Sequence, residues 1–161
     1  MLPLESLELK IGYTFKEKRL LQRALTHRSW GAENNERLEF LGDAVIESVT
    51  SDYLFIEYPE YDEGRLTQLR SKIVSRQSLN GVAKKLGLDK CVICNHSVSI
   101  SQKHIFGDAF EAMMGAIYLD QGYNFVNRLL INKIYAVALS LEEVDEVETD
   151  FKSRLIEWGQ K

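Results

Sequence analysis

The sequence predicts an all-α domain of about seven helices, on three observations. Apolar residues recur at three- and four-residue steps along most of the chain, and no stretch alternates apolar and polar for long. Only 10 Gly and 2 Pro interrupt 161 residues, which leaves room for long helical segments. Residues that start or stop helices flank most of the periodic stretches.

In chain order, the first helix is expected over Leu4 to Ile11, stopped by Gly12, and the second over Lys16 to Leu25. A long third helix starts at Asn35, a residue type suited to an N-cap, and runs to Tyr58 before Pro59. A fourth spans Glu63 to Val74. Ser75 reads as the N-cap of a fifth that ends near Gly87. Leu88 to Lys103 is the least patterned stretch, extended in part through the V-S-I-S run at Val98 to Ser101. A sixth helix is placed at His104 to Leu119 and a seventh at Tyr123 to Leu141. The acidic run L-E-E-V-D-E-V-E-T reads as a linker, and a last helix begins at Asp150.

Composition bounds the function. Hydrophobic residues make up 45% and charged residues 27%, enough for one packed domain. No apolar run has the length of a membrane span, and the N-terminus lacks the pattern of a signal peptide, so a cytoplasmic protein without membrane contact is expected. Cys91 and Cys94 form a lone C-x-x-C near His96. No second pair follows at zinc-finger spacing, so they read as two reduced thiols in or near a loop. The formal net charge is -4, which argues against a bare nucleic-acid binder unless cations, local basic patches or another domain supply the affinity.

The chemistry-bearing signal is acidic. At about 100° per residue, Glu36, Glu39, Asp43 and Glu47 share one narrow stripe of the third helix, opposite Leu38, Leu41, Val45 and Val49. The bland account is a solvated face. Against it, the like charges repel at three- and four-residue spacing with no Lys or Arg in the stripe to relieve them, and Phe40 lies beside the acids, away from the core side. The sixth helix repeats the design: Asp108 and Glu111 lie one turn apart, with Phe106, Phe110, Met113 and Ile117 opposite, while Ala112 and Gly115 beside the acids allow close approach of another element. If the two faces meet, the carboxylates of Glu39, Asp43, Asp108 and Glu111 converge, which is costly without cations. Oxygen-only ligands favour Mg²⁺ or Mn²⁺, and neither helix carries the Glu-x-x-His pair of helical di-iron sites. Such a site suits phosphoryl transfer.

These residues resemble a known family. E-R-L-E-F-L-G-D-A-V at Glu36 to Val45 is similar to the signature of the ribonuclease III family, and G-D-A-F-E-A-M-M-G-A-I-Y-L-D at Gly107 to Asp120 to its second acidic motif. A-L-T-H-R-S at Ala24 to Ser29 and D-E-G-R-L at Asp62 to Leu66 also match, in order and spacing. The resemblance implies a homodimeric endonuclease that cleaves double-stranded RNA with Mg²⁺, leaving 5′-phosphate and 3′-hydroxyl ends and a short 3′ overhang. It implies that Glu39, Asp43, Asp108 and Glu111 hold metal, with Asp43 and Glu111 catalytic, and that Glu36 and Glu63 line the RNA valley. Phe40 matches an aromatic that packs into the partner subunit. Glu47 matches no catalytic position and is left as solvated or supporting. Candidate RNA contacts are His27, Arg28, Arg65, Arg70, Lys72 and Arg76, each weighed against an ordinary solvated charge; His104, one turn before Asp108, reads as a helix-start residue.

The terminal D-F-K-S-R-L-I-E-W-G-Q-K is similar to the first helix of the double-stranded-RNA-binding domain that follows the catalytic domain in bacterial members. The expected division is therefore a catalytic domain at 1–146 and, at 147–161, a linker and the start of a truncated RNA-binding domain, whose missing part accounts for the acidic balance. Two other readings are a non-catalytic RNA-binding or ribosome-associated relative on the same fold and a compact relative without an RNA-binding domain. Relatives without catalysis lose acids from the metal set, whereas all six acidic positions are filled here.

Overall fold

In a computed structural model, the described residues are 3–95 and 104–136. His96, the V-S-I-S run, the acidic linker and the C-terminal segment lie outside them. Seven α-helices form among these residues, with one isolated bridge, between Thr26 and Ile93, as the strand-like pairing.

Helix α1 (Pro3–Ile11) stops at Gly12, whose φ of 73° is the left-handed conformation glycine adopts at little cost. Helix α2 (Lys18–Ala24) starts two residues later than its pattern suggested, because the Glu17 side chain accepts from the Arg19 N–H and sets the cap there. The two are tied by the buried Glu8, which accepts from the Phe15 N–H and the Lys18 ammonium, each at 2.7 Å.

Helix α3 (Glu36–Glu57) begins where expected, but Asn35 does not cap it. Asn35 is buried and donates its Nδ2 to the Ala24 carbonyl at 3.0 Å, while Asn34 Oδ1 accepts from the Glu36 N–H at 3.1 Å. The two neighbours divide the work: one satisfies the helix start, the other ties that start to the end of α2. Helix α4 (Glu63–Ile73) is capped by Asp62, and α5 (Arg76–Lys85) by Ser75, whose Oγ accepts from the Ser78 N–H. A short 3₁₀ turn at Leu88–Lys90 leads to Ile93, which exchanges backbone bonds of 2.8 Å with Leu25 and His27 and so fastens this stretch beside the loop that precedes α3.

Helix α6 (Ile105–Gln121) is the axis of the fold. Its expected apolar side is inside, and Ala109, Ala112, Met114 and Ala116 are also fully buried, so α6 is enclosed on nearly all sides, as close approach of another element beside the acids requires. Helices α2, α3 and α5 pack around it, and its contact with α3 is the most extensive in the molecule. Helix α7 (Tyr123–Leu129) continues through a wider π-type turn at Leu130–Tyr135, where Tyr135 and Thr50 of α3 share a buried hydrogen bond of 3.2 Å.

Candidate active site

Two glycines set the distance between α3 and α6. A Cβ on Gly42 would lie 1.6 Å from the Glu111 carbonyl oxygen, and one on Gly115 would lie 2.5 Å from the Leu38 carbonyl oxygen. The helices therefore cross backbone against backbone at the turns that carry the acids. Gly115 was foreseen as a point of close approach. Gly42 was missed, although an unexplained glycine inside a helix, costing about 1 kcal/mol against alanine, is the available signal.

The crossing brings the acids together in two pairs. Glu39 of α3 lies within hydrogen-bonding reach of Asp108 of α6, and Asp43 of α3 within reach of Glu111 of α6. Burial, followed by the charges of Asp43, Asp108 and Glu39, pushes the Glu111 carboxyl up to about 8. Burial and the neighbouring Asp108 and Glu36 carboxylates push Glu39 up to about 7, with Arg28 opposing. Asp108 is raised by burial as well, against the pull of His104 and Arg76, the hydrogen bond with Glu39 and the charge of His27. Such a half-buried group of like charges gains from protons or from cations.

The donor set fits a hard divalent cation: carboxylate oxygens alone, facing one another across two rigid helices. Among the described residues no three His, Cys, Asp or Glu groups are already drawn round one point. The acids stand instead as two pairs, each with one carboxylate from α3 and one from α6.

The basic candidates separate into two groups. His27 and Arg28, in the loop after α2, and Arg76, at the start of α5, act on the acids electrostatically, as does His104. Burial and then the Arg28 charge lower the His27 pKa, which favours the neutral ring, and its Nδ1 lies 2.8 Å from Ser29 Oγ. The α4 residues are engaged locally. Arg70 donates to Ser51 Oγ at 2.9 Å and lies 3.7 Å from the Glu47 carboxylate, so Glu47, which has no cation on its own stripe, meets one across the helix pair. Arg65 stacks over the Tyr61 ring at 3.8 Å and, with Lys72, lines a groove of about 510 Å³. Glu63 accepts from Thr67 on its own helix, and Glu36 borders the cluster through Glu39. Phe40 is 83% exposed, which leaves the apolar surface of a whole aromatic ring in water. Cys91 and Cys94 form no disulfide and are half-buried; the Cys91 thiol donates to the Gly87 carbonyl at 3.6 Å, and burial raises its pKa, away from a reactive thiolate.

The family model described as Ribonuclease-III-like matches residues 17–137, an interval that contains both acidic helices. The chain belongs to the ribonuclease III family. The Ribonuclease 3 of Zunongwangia profunda is 43% identical over 158 residues, covering 94% of this chain and 65% of that one. The Ribonuclease 3 of a Nitratiruptor strain is 40% identical over 165 residues, covering 99% of this chain and 73% of that one. The nuclease domain of ribonuclease III from Campylobacter jejuni, in a structure noted for flexibility in the region involved in dimer formation, superposes with a TM-score of 0.79 at 37% identity. That match covers 83% of this chain and 97% of the other. The chain spans about half to two thirds of the length of several of the curated relatives it matches.

Proposed function

We propose that this chain is the nuclease module of an endoribonuclease that hydrolyses double-stranded RNA with the aid of divalent cations. The observation that carries the reading is the crossing at Gly42 and Gly115, which gathers Glu39, Asp43, Asp108 and Glu111 from two rigid helices in a member of the ribonuclease III family. Mg²⁺ is the cation the oxygen donors suit, with Mn²⁺ as substitute. Glu39, Asp43, Asp108 and Glu111 would hold it. When bound, the cation supplies an activated water and charge neutralisation at the phosphate.

The protein's own groups do the rest. Asp43 and Glu111, within hydrogen-bonding reach across the helix crossing, would be presented for ligation by two backbones in close contact at Gly42 and Gly115. His27, Arg28 and Arg76 border the acids and orient a phosphodiester, while Glu36 and Glu63 line the course of the RNA. Arg65, Arg70 and Lys72 remain candidates for backbone contact at a greater remove. Phe40 anchors a twofold homodimer, the arrangement that its exposure and the dimer-forming region noted for the Campylobacter jejuni nuclease domain both support. Two sites facing opposite strands would leave 5′-phosphate and 3′-hydroxyl ends and a short 3′ overhang. The enzyme would act in the cytoplasm in RNA processing; no helix among the described residues is long and apolar enough to cross a membrane. Residues 147–161 would be a linker and the start of a double-stranded-RNA-binding domain.

The test is cleavage of an RNA duplex and of the matching DNA duplex with Mg²⁺. Duplex RNA should be cut and DNA spared, because B-form geometry without the 2′-hydroxyl misplaces the phosphates. Equal cutting of both, or RNA cutting undiminished by a chelator, would refute the reading.

A further inference from the structure

Away from the acids, a second concavity of about 630 Å³ opens between α2 and the loop that follows it. Arg19 and Arg23 reach it from one face of α2, and Trp30, Glu33 and Ile93 complete its rim. The Trp30 indole is 62% exposed, so much of a large flat ring is open to solvent among the described residues. Arg23 is held in place by its Nε bond to the Asn34 carbonyl at 3.1 Å. Neither arginine has an ion-pair partner among the described residues, although the two like charges stand four residues apart on a helix, where they repel. None of these residues serves the acidic site. The concavity nonetheless adjoins it: Thr26 lines the concavity, and the next residue, His27, acts on Asp108.

Two guanidinium groups beside an open indole suit one ligand chemistry. Guanidinium binds phosphate through paired N–H donors, and an indole face accepts a stacked base of any sequence. Glu33, on the same rim, adds a negative charge that disfavours an anion on its side of the concavity. A base in the interior of a duplex has both faces covered, so stacking on Trp30 favours an unpaired nucleotide over a paired one.

We propose that this concavity is a binding site for an unpaired nucleotide of RNA, with the base stacked on Trp30 and its phosphate held by Arg19 and Arg23. The site would seize a single-stranded nucleotide flanking the duplex engaged at the acids, so that the substrate class includes duplexes with an unpaired flank. The preference for RNA over DNA rests on the ribonuclease reading; the stacking and the phosphate capture do not.

The experiment uses the whole chain with Trp158→Phe, which leaves Trp30 as its single tryptophan, since the sequence contains 2. Tryptophan fluorescence is followed while a single-stranded RNA tetramer is added without divalent metal. Saturable quenching that weakens with salt is expected, with affinity falling about tenfold in Arg19→Ala, as for loss of one charged hydrogen bond to phosphate. Arg19 is exposed, so its replacement leaves the fold intact. In a second measurement, a labelled duplex with a four-nucleotide single-stranded flank should bind the parent chain more tightly than the blunt duplex, and Trp30→Ala should remove that difference. No quenching at millimolar tetramer, quenching unchanged by Arg19→Ala, or an undiminished flank preference in Trp30→Ala would each overturn the site. A chain that cuts duplex RNA but shows no quenching sinks this inference alone. A chain that binds the tetramer but cuts no duplex sinks the ribonuclease reading and leaves the nucleotide site standing.

Discussion

Gly42 of α3 lies so close to Glu111 of α6 that a Cβ there would come within 1.6 Å of the Glu111 carbonyl oxygen. Both partners are backbone inside helices, so no rotamer change relieves the overlap. Gly42→Ala must push the helices apart, and with them Asp43 from Glu111. A loss of about 3 kcal/mol in urea unfolding is expected, at the upper end for overpacking. Gly81→Ala provides the contrast: its Cβ meets nothing within 4 Å on helix α5, so a gain of about 0.5–1 kcal/mol is expected. Gly42→Ala with parent stability would contradict the tight crossing.

Asp43→Asn and Glu111→Gln each remove one negative charge from the carboxylate pair without changing size. Cleavage of duplex RNA should fall at least about 100-fold in either variant, while the circular dichroism spectrum and dimer mass stay those of the parent. Undiminished Mg²⁺-dependent cleavage by either would refute the assignment.

Phe40, at 83% exposure, should be buried by a second copy of the chain. Phe40→Asp replaces the ring with a charge at that contact and is expected to weaken dimerisation by about 2 kcal/mol or more, roughly thirtyfold in Kd. Sedimentation velocity at micromolar concentration reads the change; a fully dimeric Phe40→Asp chain would remove Phe40 as the anchor.

Asp120, in the last turn of α6, accepts from the Tyr13 hydroxyl and, at 3.0 Å, from the Lys16 N–H. Burial raises its pKa, but the hydrogen bonds from Tyr13 and from the backbone of Lys16 and Glu17 outweigh burial and hold it below 3.8. A folded-state pKa below the unfolded one stabilises above the unfolded value, and that stability is lost as pH falls through the folded value. Asp120→Asn should therefore lower Tm at pH 7, and the gap from the parent should close as pH drops below about 4. A gap of constant size across the acid range would mean that shape rather than charge accounts for the contact.

Salt should separate this chain from a longer one. With a net charge of -4 and few cations bordering the acids, the isolated chain should bind duplex RNA weakly and cut best at low salt. Extending it through a complete RNA-binding domain should restore cutting at higher salt. Equal activity of the two at physiological salt would show that such a domain does not offset the acidic balance.

Much of the site was legible because helical periodicity converts spacing directly into direction. Glu36, Glu39, Asp43 and Glu47 had to share a side once α3 was a helix, and Asp108 and Glu111 likewise on α6. The caps were less legible: Asn35 has the right chemistry for one, yet the Ala24 carbonyl, eleven residues away, claims its amide. On α6 the small residues beside the acids, Ala112 and Gly115, were legible as a place of close approach, and both are buried there; that Met114 and Ala116 are buried as well depends on the helices packed around α6.

By itself the sequence determined the helical class, the acidic stripes and the membership that its ordered motifs announce, since each depends on neighbours within a few turns. Tertiary structure alone decided which acid faces which, that Glu47 meets Arg70, that His27, Arg28 and Arg76 border the cluster while Arg65, Arg70 and Lys72 are engaged along α4, and that Arg19, Arg23 and Trp30 share a concavity. The physical reason is that these relations join residues far apart in the chain. They are set by how closely two helix backbones can approach, a distance fixed here by the absent side chains of Gly42 and Gly115.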